Sequence, residues 1–304
     1  MARSVIERVG HALLSMFALL ILVFLLVRVT GDPAFFRVPP TATAEQKEEA
    51  RRELGVDRPL PIQFGIYVSN LVQGDLGLSF RTRTPVMDLV LQRLPATLSL
   101  SLAAFLLTIG VAVPLGIYSA YYRGRVLDRI TRMFAAAGQS VPEFWVGILL
   151  IIVFAVNFRI LPSGGYGSLE QFVLPTITLS FVGIAGLTRL LRSSVINELT
   201  SDYVVFLRTK GVPERTILWK HVLRNAGLTT LSFLGIFVAG LLTGSVLVET
   251  VFVWPGVGRL MIESIDYRDF TVLQGTMLLF AGVYIVLNLF VDVLYRFLNP
   301  RLRR

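Results

Sequence analysis

Residues 201–226 read SDYVVFLRTKGVPERTILWKHVLRNA, a polar and basic segment between two long apolar runs. The pattern predicts a helix over about residues 202–210, a break at Gly211 followed by Pro213, and a second helix over residues 214–225. Glycine tolerates the left-handed backbone that ends a helix, and proline suits the first turn of the next one. We therefore expect a helix, a tight turn and a helix outside the bilayer.

One explanation of the positive charge of this segment is that a basic loop serves only to fix the orientation of the membrane helices. Its length and its apolar residues at helical spacing instead favour a platform that contacts another protein. These apolar residues are Val205, Phe206, Leu207, Ile217, Leu218 and Trp219.

The composition is that of a membrane protein. Of 304 residues, 54% are apolar and 16% are charged, and the mean hydropathy is +0.68. The net charge is +9, but arginines gathered at the ends of apolar runs are typical of cytoplasmic membrane flanks, so nucleic-acid binding is not expected. The absence of cysteine excludes disulfides, and the two histidines, His11 and His221, lie far apart.

Six apolar runs predict membrane-spanning helices, at residues 12–27, 96–122, 133–157, 171–188, 226–248 and 271–291. Crossing a bilayer core takes about 20 residues, and His11 and Arg28 can extend the first run. A cleaved signal peptide is the alternative for this run, although its apolar core would normally be shorter.

The largest extramembrane region is predicted at residues 30–95. Thr43 and Gln46 form a capping box for a charged helix over residues 44–54, which Gly55 can end. A second short helix is predicted at residues 62–72, followed by a turn at residues 74–77. Among the short segments, lysine and arginine concentrate in the N-terminus, residues 123–132, residues 189–224 and the tail. The nine from Arg28 to Arg93 lie in a long loop, which contributes little to orientation, and are offset by eight acidic residues, so both termini are predicted to be cytoplasmic.

Two features inside the spans are candidates for a transport path. Glu143 lies in the third span, where a carboxylate costs about 2 to 3 kcal/mol and should face protein or water. It either lines the path and meets a cationic group of a substrate or, as the favoured reading, pairs with an arginine of a neighbouring helix. The fifth span carries small residues that allow close helix packing and, by further inference, line a pore: Gly235, Ala239, Gly240, Thr243 and Gly244.

Catalytic motifs are missing from the sequence. No G-x-x-x-x-G-K-[ST], H-E-x-x-H or G-x-S-x-G pattern occurs. We therefore predict no catalytic residue, no metal site and no cofactor bound by this chain.

Four motifs together resemble a known family: LPSGGYGS, VLPTITL, DYVVFLRTKGVPERTILWKHVLRNA and VETVFVWPGVGRL. They resemble the inner-membrane permease subunit of bacterial peptide/nickel-type ABC importers, of the oligopeptide/dipeptide permease B kind. The resemblance implies an all-α membrane protein with six transmembrane helices and a type I, MetI-like permease fold. It divides the chain into the N-terminus and first helix (1–29), a periplasmic region (30–95), a permease core (96–298) containing a cytoplasmic coupling loop (199–225), and a basic tail (299–304).

In that family the cytoplasmic loop is the EAA loop, whose coupling helix docks into a groove on an ATPase. The resemblance assigns this role to Val205, Phe206, Leu207, Thr209, Lys210, Gly211, Val212, Pro213, Glu214 and Arg215. The sequence departs from the family consensus at residues 205–207, where Glu, Ala and Ala would stand, and at Arg224, where a Pro would stand. An outer loop that helps to close the pathway is implied at Glu249, Trp254, Pro255 and Gly256, although Trp at a span end is also a common interfacial anchor.

The resemblance also implies partners and an activity. The partners are a second, homologous permease subunit, two cytoplasmic ATPases that carry ATP and Mg²⁺, a periplasmic binding protein that lands on residues 30–95, and membrane lipid. The implied activity is ATP-driven import of di- and oligopeptides across the bacterial inner membrane by alternating access. The alternatives are import of nickel or another non-peptide solute, and an ion-coupled secondary transporter, which should show inverted repeats and more buried charge.

Overall fold

The structure is a computed structural model that describes residues 2–30, 38, 43–53 and 55–298. Nearly all of this part of the chain is helical. The α-helices are α1 (Ala2–Thr30), α2 (Ala44–Glu53), α3 (Leu60–Val72), α4 (Val86–Tyr121), α5 (Val126–Ser140), α6 (Glu143–Leu150), α7 (Leu169–Leu199), α8 (Asp202–Thr209), α9 (Glu214–Thr216), α10 (Leu223–Val251), α11 (Val257–Asp266) and α12 (Phe270–Leu298). Two π-helical segments, Ile151–Asn157 and Ile217–Val222, follow α6 and α9.

Four helices among the described residues are long and apolar enough to cross a membrane. They are α4, α7, the Phe233–Val251 part of α10 and the Phe270–Leu289 part of α12, and they coincide with the predicted second, fourth, fifth and sixth spans. The predicted first span lies on α1, whose apolar stretch Gly10–Leu26 is shorter than the other four.

The predicted third span, residues 133–157, is not one straight helix. Helix α5 ends at Ser140, and α6 with its π-helical extension leaves at an angle of 109°. Pro142 explains the break, because proline forces the residue before it out of the helical region. Val141 accordingly has an extended backbone, with φ −103° and ψ 129°.

Two helix boundaries around residues 201–226 also differ from the prediction. The predicted separate helix at residues 214–225 is continuous with the following span, since α9, Ile217–Val222 and α10 run on without a break. No glycine or proline lies between Glu214 and Ala226, so nothing in the sequence ends the helix there. Helix α7 likewise continues to Leu199, beyond the predicted end at residue 188.

The chain forms two compact units, the first within Met1–Thr97 and Pro255–Val286 and the second within Leu98–Trp254 and Leu287–Arg304. In the first unit, Phe24 of α1 meets the ring of Phe64 on α3 at a centroid distance of 5.4 Å. A separate apolar cluster joins Val86 and Val90 of α4 to Leu260 of α11 and Val272 of α12.

Local structure in this first unit confirms the predicted caps. The N–H of Thr43 donates to Gln46 Oε1 at 3.0 Å and the N–H of Gln46 donates to Thr43 Oγ1 at 3.3 Å. Gly55, Gly74 and Gly77 have φ of 64°, 78° and 83°, the left-handed backbone that glycine adopts at no steric cost.

Helix α7 is the central helix of the second unit, with more of its span buried than any other candidate span of the described chain. Its small residues allow the neighbouring helices to pack closely against it. The ring of Phe233 on α10 lies against Gly186, the ring of Phe237 lies against Gly183, and Gly138 of α5 approaches Ala185. Close packing through small residues is therefore found on α7, whereas Gly240 of the predicted fifth span has no atom near its Cβ position.

Candidate functional site

The short helix α8 is fixed at its start by Tyr203. Its hydroxyl donates to the carboxylate of Glu198 on α7 at 2.7 Å. Burial, and then the hydrogen bond to Glu198, raise the pKa of Tyr203, so the hydroxyl remains a protonated donor. Val204, the next residue, is completely buried. These two contacts hold one face of α8 against the second unit.

The turn after α8 depends on Gly211, as predicted. Gly211 has a φ of 72°, and its N–H donates to the carbonyl of Arg208 at 3.0 Å. Among the described residues, no atom lies within 4 Å of its Cβ position, so the requirement for glycine comes from the backbone rather than from crowding. The guanidinium of Arg208 spans the turn and donates to Glu214 at 2.7 Å.

The outward face of α8 is apolar and exposed. The side chains of Val205 and Phe206 are 53% and 56% exposed, and Lys210 Nζ lies 4.4 Å from the centre of the Phe206 ring. Of the other residues assigned to the coupling role, Leu207, Val212 and Glu214 are half-buried, whereas the rest are exposed: Thr209, Lys210, Gly211, Pro213 and Arg215.

A buried cluster lies beneath α8. It joins Val204 to Ile217, Leu218 and Val222 of the following π-helical segment, and to residues of α4 and α7, among them Leu191 and Val195. Ile217 and Leu218, which the sequence pattern offered as part of a partner surface, are therefore core residues. The exposed face of α8 therefore lies above a cluster that packs the longer helices α4, α7 and α10 against one another.

Sequence reasoning missed a buried ion pair close to this cluster. The guanidinium of Arg192 on α7 donates to both carboxylate oxygens of Asp128 on α5, at 2.6 and 3.0 Å. The same carboxylate accepts from Ser119 Oγ and from the N–H of Gly124, each at 2.9 Å. The Asp128 side chain is only 2% exposed. One signal was available, because Asp128 is the only acidic residue between Asp88 and Glu143.

The loop at residues 161–167, within the motif LPSGGYGS, is non-helical and packs on the end of α10. The N–H of Gly165 donates to the carbonyl of Phe252 at 2.9 Å. Trp254 is completely buried, and its ring lies edge-on to Tyr166 and Phe172 at centroid distances of 4.8 and 4.5 Å. Trp254 is therefore a core residue of this loop, not an interfacial anchor.

The predicted outer loop is shorter than expected. Helix α10 continues to Val251, so the non-helical stretch is only residues 252–256. Glu249 therefore lies in the last turn of α10, and it is completely buried. In the first unit, Gly256 precedes α11, and the N–H of Val257 donates to Thr97 Oγ1 at 2.9 Å.

The candidate pathway residues Glu143 and Gly244 are neighbours in the second unit. A Cβ on Gly244 would lie 2.5 Å from Glu143 Oε1. Gly240, one turn earlier on α10, is exposed, and no atom of the described residues lies within 4 Å of its Cβ position. Glu143 is half-buried, and within the described part of the chain it forms no ion pair, so the expected pairing with an arginine is not found there.

Comparison with known families gives two matches that together cover most of the chain. Residues 112–304 match the family described as binding-protein-dependent transport system inner membrane component. Residues 1–101 match the N-terminal family of the membrane components of binding-protein-dependent transport systems.

Similar proteins include the glutathione transport system permease protein GsiC of Escherichia coli O6:H1, 41% identical over 304 residues, which cover 100% of this chain and 99% of that protein. The probable peptide ABC transporter permease protein y4tP of Sinorhizobium fredii is 40% identical over 292 residues and 93% of each chain. Among solved structures, an inward-facing MetNI methionine ABC transporter superposes with a TM-score of 0.60 over 70% of this chain and 97% of that chain. At 17% identity, this last likeness shows a shared fold.

Proposed function

The chain belongs to the family of binding-protein-dependent transport system inner membrane components, and on that basis we propose that it is the permease subunit of an ATP-driven peptide importer. The proposal includes six spans. Helix α1 supplies the first, extended by its polar flanks, and the bent pair α5 and α6 supplies the third. Both termini lie in the cytoplasm, residues 30–95 lie in the periplasm, and residues 96–298 form the permease core with the coupling loop at residues 199–225.

The exposed apolar tip of α8 is the observation that carries this function. Val205 and Phe206 are each more than half exposed, while the adjacent Val204 is fully buried in the cluster beneath. An apolar tip on a rigid base is typical of a surface that docks into a groove of another protein. We assign that groove to a cytoplasmic ATPase.

The chemistry of ATP hydrolysis belongs to the partners in this scheme. The chain lacks a phosphate-binding loop, so two ATPase subunits bind ATP and Mg²⁺, and a second, homologous permease subunit completes the pore. When the ATPases close, the displacement of α8 rocks the spans between inward-open and outward-open states. A periplasmic binding protein delivers the substrate to residues 30–95.

The pathway and its outer closure are assigned to residues of α6, α10 and the loops beside them. Glu143, Gly240 and Gly244 line the pathway, where an unpaired carboxylate can meet the ammonium group of a peptide. Glu249 and Trp254, with the following Pro255 and Gly256, belong to the segment that closes the outer mouth. Trp254 is buried against the loop at residues 161–167, which supports a shared movement of that loop and of residues 252–256.

The substrate class rests on the relatives. Proteins about 40% identical over nearly the whole chain are named for glutathione, itself a tripeptide, and for peptides. We therefore propose that short peptides are carried.

The test is transport by the complete complex in proteoliposomes. The chain is co-purified with its sister permease and ATPases, and the binding protein with labelled peptide is enclosed in the lumen. We expect peptide movement that requires both ATP and the binding protein. Transport driven by an ion gradient without ATP, or transport of a nickel chelate but of no peptide, would contradict the proposal.

A further inference from the structure

The carboxylate of Asp128 is held by more donors than an ordinary surface ion pair. It accepts two hydrogen bonds from Arg192, one from Ser119 and one from the N–H of Gly124. These donors come from α7, from α4 and from the loop before α5. Because a buried charge is tolerated only when it is fully paired, this arrangement fixes the three elements in one relative position.

Arg192, one member of this ion pair, is connected to the coupling loop through packed side chains. Arg192 is flanked on α7 by Leu191 and Val195, whose side chains are completely or almost completely buried. Both belong to the cluster that contains Val204 of α8 and Val222 of the segment after the turn. A displacement of α8 must therefore move the part of α7 that carries Arg192.

Asp128, the other member of the ion pair, lies on the bent helix α5–α6. Asp128 lies in the first turn of α5, and its other buried residues, Thr131, Ala135 and Gly138, are all small. Asp128 is thus the only charged residue on the buried face of α5. Beyond the 109° bend, α6 begins at Glu143, which lies against Gly244.

We propose that Asp128 and Arg192 are positioning residues of the transport cycle, which make the bent helix α5–α6 move together with the coupling helix α8. This inference rests on the proposed function, because it requires that an ATPase displaces α8. Without the ion pair, the small residues of α5 can slide on α7. ATP is then hydrolysed and α8 moves, but α6 with Glu143 does not move with it.

The first test is Asp128→Asn in the reconstituted complex, with peptide transported per ATP hydrolysed as the readout. Asn keeps the size of the side chain but cannot accept the paired hydrogen bonds from the guanidinium. We expect this ratio to fall roughly tenfold, within the usual range of a coupling between sites. Arg132→Gln is the matched control, because Arg132 lies 3.7 Å from the same carboxylate but is 56% exposed, and its ratio should stay at the wild-type value.

A second test measures movement directly. The chain contains no cysteine, so spin labels can be placed at Arg129→Cys on α5 and Thr209→Cys on α8, two exposed positions. With Asp128 present, we expect the same distance between the labels with and without trapped ATP. With Asp128→Asn, the distance should shift or its distribution should broaden when ATP is trapped.

The outcomes separate this inference from the proposed function. A wild-type complex that does not couple ATP hydrolysis to peptide transport would overturn both. A coupled wild-type complex whose Asp128→Asn variant shows an unchanged ratio, or unchanged distances, would overturn the inference alone. Should Asp128→Asn fail to assemble, Arg192→Lys keeps the positive charge but cannot donate the two parallel hydrogen bonds to Asp128, and an undiminished ratio in that variant would overturn it equally.

Discussion

Gly164 lies directly against the carbonyl group of Phe252. A Cβ at position 164 would overlap the carbonyl oxygen and would lie 2.9 Å from the carbonyl carbon. The neighbouring Gly165 donates its N–H to the same oxygen. The loop at residues 161–167 and the end of α10 therefore meet through their main chains, at a place where no side chain fits.

Gly164→Ala is expected to destabilise this contact by about 1 to 3 kcal/mol, because backbone atoms cannot give way as a flexible side chain does. Thermal unfolding in detergent measures the change, followed by tryptophan fluorescence in a background in which Trp145 and Trp219 are replaced by Phe, so that only the buried Trp254 reports. Gly110→Ala is the control, since nothing lies within 4 Å of its Cβ position in the interior of α4. Equal unfolding temperatures for the two variants would show that the close approach does not matter.

Gly211 offers a test of backbone strain without a change in packing. Its φ is 72° and its Cβ position is open, so Gly211→Val should lose about 1 to 2 kcal/mol from the left-handed backbone alone. Gly211→Asn should lose less, because asparagine tolerates this region. Limited proteolysis at the turn reports the difference, and equal cleavage rates for Val and Asn would argue against strain as the cause.

Gly244 and Gly227 form a matched pair on α10. Gly244→Ala should push the Glu143 carboxylate aside, because Oε1 occupies the place of the new methyl group. The end of a side chain can move, so we expect a lower transport rate with an unfolding temperature close to that of wild type. At Gly227 no atom of the described residues lies within 4 Å of the Cβ position, so Gly227→Ala should leave both unchanged. A transport loss that is the same in both variants would mean that Glu143 is not involved.

Glu143→Gln tests whether this carboxylate meets the peptide ammonium group. Hydrogen bonds to charged groups contribute about 1.5 kcal/mol or more, so the variant should transport peptides with a free N-terminus roughly tenfold more slowly. N-acetylated peptides should be unaffected. Glu170→Gln, an exposed carboxylate in the first turn of α7, is the control. A similar decrease for free and acetylated peptides would assign Glu143 a structural role instead.

Features with short-range causes were predictable from the sequence. The capping box at Thr43 and Gln46 depends on residues within one helical turn, and the left-handed backbone of Gly211 follows from a helix that must end before Pro213. The apolar runs likewise identified α4, α7, α10 and α12, because a long apolar helix needs no knowledge of its neighbours.

Features with long-range causes were not predictable. Asp128 and Arg192 are 64 residues apart. Asp128 stands out as the only acidic residue between Asp88 and Glu143, but only the fold decides which of the many arginines pairs with it. Proline at position 142 was visible within the third span, but the size of the bend is also set by what α5 and α6 pack against. The burial of Glu249 depends on how far α10 continues, which no local signal determines.

The docking of α8 on an ATPase is the central claim, and cross-linking tests it most directly. Because the chain has no cysteine, a photo-reactive cross-linker on Phe206→Cys is attached to this chain at that position alone, and the wild-type complex treated in the same way controls for labelling of partner subunits. Val72→Cys on α3 is the control, an exposed apolar position that we place in the periplasm. We predict a cross-link to the ATPase from position 206 and none from position 72. An active complex in which position 206 reaches no ATPase subunit, or in which position 72 does, would contradict the account.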